Sequence, residues 1–364
     1  MAGGRTRPPA TDRTRRRRDR TAGGTRVTGP LVDGSNRPLA GRHDVALLDL
    51  DGVLYVGPDA VTGAPEAVAA AARAGLRPAF VTNNASRTPG TVAGHLTELG
   101  IPATEDAVVT SAQAAATLVA ATVPSGAAVL VVGGEGLRAA LVERGLRPIT
   151  SADGAAAVVQ GFAPEVAWTL LAEGTYAVRA GLPWVASNLD ATVPTPRGIA
   201  PGNGALVDLV ARVTGRRPDA VAGKPETPLH EEAVRRTGAR DPLVVGDRLD
   251  TDIEGAVRAG VPSLLVMTGV ARPVDLLRAT DQCRPTYVAR GLADGLLEPH
   301  PAVRSQPDGG WTCGGWTSRR EADDLELTGD GDALDGLRVA AVAAWAGEPL
   351  PGPVLERIAA RLQL

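Results

Sequence analysis

From residue 44 onward, short runs of Val, Leu and Ala alternate with longer amphipathic stretches of Ala, Leu and Arg. This is the rhythm of strands and helices in an α/β protein built on parallel strands. The apolar runs predict strands over 45–50, 78–82, 129–132, 156–159, 184–187, 243–245 and 263–267, with helices filling the gaps. Three of these strands end on polar residues at the mouth of a loop: Asp49-Leu50-Asp51-Gly52, Thr82-Asn83-Asn84 and Gly246-Asp247-Arg248. Ligands of open parallel sheets bind beyond the carboxyl ends of the strands, so the three loops are expected to converge on one site.

About 140 residues separate Asn84 from Lys224, more than one or two strand–helix units require. A second folded unit, an α/β cap, is therefore expected at 125–215, inserted into a Rossmann-like core formed by 44–124 and 216–292. Beyond 292 the character changes. Gly, Asp and Trp rise around 307–316 and two helix-like segments follow near 334–345 and 353–362, which predicts a small appendage over 293–364. At the other end, the arginines crowded into residues 5–20, Arg15 to Arg18 among them, have no apolar anchor and are followed by Gly, Thr and Pro. Residues 1–43 are expected to form a solvated, disordered arm.

Composition adds three constraints. With 3% aromatic residues against 44% hydrophobic overall, Ala, Val and Leu must build the core. The arginine-rich start lacks the apolar segment of a secretory signal, and no run approaches the ~18 apolar residues of a membrane span, so a cytoplasmic protein is expected. Cys283 and Cys313 stand far apart, and His43, His95, His230 and His300 show no ligand spacing, so neither a disulfide nor a zinc site is expected. Binding of nucleic acid is not expected either: the arginine arm reads as solvated, and the tryptophans lack the basic interleaving of a base-stacking platform.

Asp49 and Asp51 lie two residues apart at the end of an apolar strand, just before a glycine that lets the backbone turn away. One carboxylate can attack phosphorus and form a mixed anhydride. The other can protonate the leaving oxygen and later take a proton from water. Lys224, in Gly223-Lys224-Pro225, carries the positive charge that such a transfer needs between nucleophile and phosphoryl group. Asp247, in Gly246-Asp247-Arg248-Leu249-Asp250-Thr251-Asp252, supplies a further carboxylate for a hard cation such as magnesium.

These four motifs, in this order, resemble those of the haloacid dehalogenase-like superfamily. The resemblance implies Asp49 as nucleophile, Asp51 as acid/base and Lys224 as the clamping cation. It implies that Thr82, Asn83 and Asn84 bind the phosphoryl group, and that Mg2+ is held by Asp49, the carbonyl of Asp51 and Asp247. Asp252 would stand behind them, holding a metal-bound water or the lysine, with Asp250 on the surface. Dehalogenases of this superfamily lack the second Asp and its ATPase pumps carry Thr there, so Asp51 implies a phosphatase.

The insertion resembles the large α/β cap of the NagD and chronophin type, whose members act on nucleotides, pyridoxal phosphate or glycerol phosphate. Ala186-Ser187-Asn188-Leu189-Asp190 and Pro201-Gly202-Asn203-Gly204 carry that likeness, which implies Asn188 and Asp190 at the substrate entrance. Polar cap residues suit a small hydroxylated substrate, and packing explains the cap aromatics Trp168, Tyr176 and Trp184 as well as ring stacking does. The appendage resembles the partial acetyltransferase-like extension of actinobacterial members of this subfamily, so glycerol 3-phosphate is the first substrate expected. Sugar phosphates, nucleoside monophosphates and pyridoxal phosphate come after it, and a catalytically silent binding protein is the alternative of another class. Acetyl transfer is not expected, because no basic Gly-rich loop opens a helix in 293–364. Gly133-Gly134-Glu135-Gly136 lacks the full dinucleotide-loop spacing and predicts no cofactor. The oligomeric state is left open, a homodimer included.

Overall fold

The computed structural model describes residues 29–364 apart from Pro196. Six parallel strands form the first sheet, in the order Tyr287–Ala289, Ser263–Val266, Pro242–Gly246, Val45–Leu48, Arg77–Thr82, Val108–Thr110. Val45–Leu48 is central, and all four of its residues are buried. Their alternation sends Ala46 and Leu48 into one apolar cluster and Val45 and Leu47 into another on the opposite face. A strand covered on both faces reads as an unbroken apolar run, which is why it is so legible in the sequence.

The inserted unit carries its own parallel sheet, ordered Ala220–Val221, Trp184–Ala186, Ala157–Gln160, Ala128–Val132, Arg147–Ile149. One face, with Val129, Val131, Val159 and Val185, shares a cluster with Ala112, Ala115, Ala116, Leu229 and Ala233 on the core helices Ser111–Ala120 and Pro228–Thr237. The other, with Leu130, Val132, Val158 and Trp184, packs on Leu171, Val178, Val207 and Val210 of the helices Trp168–Arg179 and Asn203–Thr214. Cap and core are thus fused through one apolar layer. Buried Glu232 pins its edge, meeting Arg144 of the cap at 2.7 Å and Arg235 and Arg236 of its own helix at 2.6 and 2.7 Å. Ala220–Val221, expected in the core, pairs instead with Trp184–Ala186, so the chain leaves the cap sheet only three residues before Lys224.

The disordered arm expected through residue 43 is corrected from Gly29 onward. Leu31, Leu39 and Ala40 are buried, and Ser35 and His300 exchange backbone hydrogen bonds of 2.7 Å each way. The arginine cluster lies outside the described residues. At the carboxyl end, a four-stranded antiparallel sheet (Arg304–Ser305, Trp311–Cys313, Trp316–Glu321, Asp324–Gly329) carries the helices Ala333–Trp345 and Gly352–Leu362. Ala333–Trp345 is buried on nearly every side, because its own sheet covers it on one side and the Tyr287–Ala289 edge of the core approaches on another. Its small residues, Ala340, Ala341, Ala343 and Ala344, permit that double approach. Both cysteines are free, and no helix among the described residues is long and apolar enough to cross a membrane.

Candidate active site

Asp49 follows the central strand, and its N–H still donates to the Val245 carbonyl at 2.9 Å. The chain then turns sharply. Gly52 sits at φ 81°, and a Cβ there would come within 2.4 Å of Asp247 Oδ2, so only glycine lets the first and fourth loops close on each other. The turn is tied from the far side by Thr268, whose hydroxyl donates to the Gly52 carbonyl at 2.6 Å.

Four charged groups converge below this turn. Buried Lys224 places Nζ 2.5 Å from Asp49 Oδ1 and 2.6 Å from Asp252 Oδ1, while Asp252 Oδ2 accepts the Arg248 N–H at 3.1 Å. Burial would lower the lysine, but the carboxylates of Asp252 and Asp49 override it and hold the ammonium above its ordinary value. Asp49 moves up because of burial, against the pull of Lys224 and with added repulsion from Asp252 and Asp247. Asp247 is pushed up to about 6 by burial and by Asp252, although the Val270 N–H donates to its Oδ2 at 2.7 Å.

Whether these residues suit a divalent cation can be judged from the donors. Carboxylate oxygens of Asp49, Asp247 and Asp252 all lie within 4.8 Å of one another, three negative groups against a single ammonium. Asp247 Oδ1 is buried with no hydrogen-bond partner among the described residues. A buried, unpartnered carboxylate oxygen inside an excess of negative charge fits a hard cation with oxygen ligands.

Most side-chain polar groups of the second loop are engaged within the protein. Asn83 Oδ1 accepts the Lys224 N–H at 2.8 Å, and its Nδ2 donates to the Lys224 carbonyl at 3.1 Å and to Asp190 at 3.2 Å. Asn84 Oδ1 is spent inside the loop, accepting from the Ser86 N–H and hydroxyl at 2.9 Å each. Thr82 is buried and its Oγ1 accepts the Asn84 N–H at 3.1 Å, leaving the hydroxyl proton to donate. Asn188 is buried too. Its Nδ2 donates to the Asn83 carbonyl at 2.7 Å and its Oδ1 accepts the Asp190 N–H at 3.1 Å. The Asn188 side chain thus joins the cap loop to the core loop.

Asp51 is exposed at the mouth of the cleft, yet the protein around it raises its carboxyl, with Arg87, Lys224 and His95 pulling back. Arg87 and His95 were not singled out in the sequence: Arg87 lies in the second loop but past its Thr-Asn-Asn motif, and His95 lies in the helix Pro89–Glu98 that follows. His95 meets Tyr55 edge-on at 5.1 Å between ring centroids. Thr268 and Val270 were likewise missed, although they follow the apolar run 263–267 in the position that the other site loops hold after their strands. Gly136, in the glycine run that predicts no cofactor, is needed for its small size. A Cβ there would lie 2.5 Å from the carbonyls of Ala85 and Arg87, so the cap helix Glu135–Glu143 starts directly on the second loop. Trp184 is fully buried, whereas Phe162, overlooked in the sequence, sits half-buried just past the Ala157–Gln160 strand. A cavity of about 610 Å³ lined by Arg42, His43, Arg77 and Arg240 opens at the amino ends of the core strands, away from these carboxylates.

Family models for haloacid dehalogenase-like and HAD-hydrolase-like proteins match residues 46–147 and 221–295. The chain is 45% identical over 316 residues to the D-glycerol 3-phosphate phosphatase of Mycobacterium tuberculosis, a match spanning 85% of this chain and 88% of that protein. The chain belongs to the haloacid dehalogenase-like hydrolases. Like the phosphatases it matches in that family, it is a phosphoric monoester hydrolase. The 5'-nucleotidase YutF of Bacillus subtilis is 38% identical over 250 residues, 68% of this chain and 95% of its own. The crystal structure of the Mycobacterium tuberculosis glycerol phosphate phosphatase in complex with magnesium superposes with a TM-score of 0.81 at 41% identity, covering 90% of this chain and 99% of that one. A model for a GCN5-related N-acetyltransferase like domain matches 313–361, within the carboxyl-terminal extension.

Proposed function

We propose that this haloacid dehalogenase-like hydrolase cleaves small phosphate monoesters through a phosphoryl group carried on Asp49, with Mg2+ as its cofactor and glycerol 3-phosphate as its first substrate. The observation that carries the reading is the contact of Lys224 Nζ with Asp49 and Asp252 at 2.5 and 2.6 Å, beside the unpartnered oxygen of Asp247.

Asp49, the main-chain carbonyl of Asp51 and Asp247 would hold the cation. When bound, it neutralises phosphate oxygens and the carboxylates around them. The chain's own residues do the rest. Asp49 attacks phosphorus and the bond to the leaving oxygen breaks, while Asp51 gives that oxygen its proton. Asp51, now a carboxylate, takes a proton from the water whose oxygen attacks phosphorus, and Asp49 is released with inorganic phosphate. Lys224 stays charged throughout, its ammonium compensating the oxygens that gather negative charge. Thr82 donates its hydroxyl to the phosphoryl group. Asn83, Asn188 and Asp190 are assigned the positioning of Lys224, with Asp190 also facing the entrance.

Support for glycerol 3-phosphate is the relative named above together with the shared extension. A polar entrance would also suit it: Trp184 is withdrawn into the cap core, although Trp168 and Tyr176, for which packing was the expectation, are exposed on the cap helix. Phe162 weakens that second argument, which keeps nucleoside monophosphates, the substrate class of YutF, as the runner-up. The test is a panel of phosphate esters ranked by kcat/KM with magnesium. Glycerol 3-phosphate should lead, and a nucleoside monophosphate or pyridoxal phosphate ahead of it by about tenfold, some 1.4 kcal/mol in transition-state binding, would overturn the substrate.

A further inference from the structure

Two parts of the molecule meet on the five-residue helix Pro273–Leu277. At its amino end, the loop from Thr268 to Arg272 reaches into the active site. The Val270 N–H donates to Asp247 Oδ2 at 2.7 Å, the Ala271 N–H to the Asp247 carbonyl at 3.0 Å, and the Thr268 hydroxyl to the Gly52 carbonyl. On its flank lie both helices of the extension, Ala333–Trp345 and Gly352–Leu362. Val274, Leu276 and Leu277 join Leu337, Val342, Leu355 and Ile358 in one buried cluster. Trp345 Nε1 donates to the Leu276 carbonyl at 3.0 Å, and Arg278 reaches Glu356 across the same seam at 3.0 Å.

A helix of five residues has no stability of its own, because nucleation is unfavourable and too few bonds follow it. The loop before it has no ladder partner. The orientation of Asp247 therefore depends on what holds the helix, and that is the extension. We propose that the carboxyl-terminal extension is a positioning element of the metal site: it clamps Pro273–Leu277 and, through Val270 and Ala271, keeps the Asp247 carboxylate aimed at the cation. Trp345 is the positioning residue at the seam. This inference rests on the reading of Asp49 and Asp247 as metal ligands.

The test measures Mn2+ binding to the full-length protein by electron paramagnetic resonance, alongside the Mg2+ dependence of kcat and the KM for p-nitrophenyl phosphate. Trp345→Ala should weaken Mn2+ binding roughly tenfold, the scale of outer-shell changes at metal sites. Excess Mg2+ should restore kcat with KM little changed. Trp345→Phe, which keeps the packing and removes only the Nε1–H donor, should weaken binding by about fivefold or less, the worth of one hydrogen bond, and keeps the test open should the alanine variant fail to fold. Val210→Ala in the cap core serves as a control for destabilisation away from the seam and should leave Mn2+ binding unchanged. If the wild type binds Mn2+ and both Trp345 variants bind it equally well, or if Val210→Ala weakens it as much, the positioning role is overturned. If the wild type binds no Mn2+, the metal reading itself fails.

Discussion

Asn83 grips both main-chain polar groups of Lys224, accepting its N–H at 2.8 Å and donating to its carbonyl at 3.1 Å. The side chain that reads as a phosphate ligand in the sequence thus fixes the backbone from which the ammonium reaches Asp49. Asn83→Ala should lower kcat by roughly a hundredfold, the scale of a catalytic group displaced by about 1 Å, while KM changes much less. Steady-state kinetics check this, and a variant that raised KM alone would make Asn83 a substrate ligand.

The metal-free site should carry a pH-dependent strain centred on Asp247. Its carboxyl titrates at 3.8 as a free side chain and at about 6 in the fold, so the folded state binds the extra proton between those values. Stability then falls as pH rises from about 4 to about 6, by about 3 kcal/mol once the group is ionised. Without metal, Asp247→Asn should melt above the wild type at about pH 7.5, the difference closing toward pH 4, and magnesium should restore the wild type only. A difference that ignores pH would refute the assignment.

Asp51 must carry a proton when the leaving oxygen departs, and its raised pKa extends the protonated form toward neutrality. Activity on an alkyl phosphate should fall as pH rises through that pKa. With p-nitrophenyl phosphate, whose leaving group needs no proton, the alkaline fall should be shallower. Asp51→Asn should cost at least ~100-fold on glycerol 3-phosphate and less on the aryl ester in the first half-reaction, resolved by burst kinetics.

The seam between cap and core should be structural. Replacing buried Glu232 by Gln leaves Arg144 and Arg235 without their counter-charge, while Arg236 keeps Glu143, at a cost of roughly 1–3 kcal/mol because the arginines still reach solvent. Chemical denaturation should show that loss while kcat/KM of the folded fraction is unchanged.

How far the sequence can be read follows from what each residue contacts. Val45, Leu47, Asp49 and Gly52 are legible because an unbroken apolar run and a strand-end carboxylate are local patterns. Asn83 and Asn188 stand out as polar residues at loop starts, but their partners lie 141 and 105 residues away, so the same residues serve the backbone where a ligand role was expected. Thr268 and Val270 act through a hydroxyl and a backbone N–H that carry no motif. Leu31 and Leu39 are packed within the stretch expected to be disordered, because two apolar side chains suffice to anchor a short segment that composition alone assigns to solvent.

The central claim is that the phosphoryl group passes through Asp49. It is tested most directly by mixing Asp51→Asn enzyme and magnesium with 32P-labelled p-nitrophenyl phosphate, whose leaving group needs no proton, quenching in acid within milliseconds, and mapping the labelled peptide. Blocked in its second step, that variant should hold label on Asp49, and Asp49→Asn should hold none. Label on another residue, or wild-type turnover by the Asp49→Asn protein, would contradict the account.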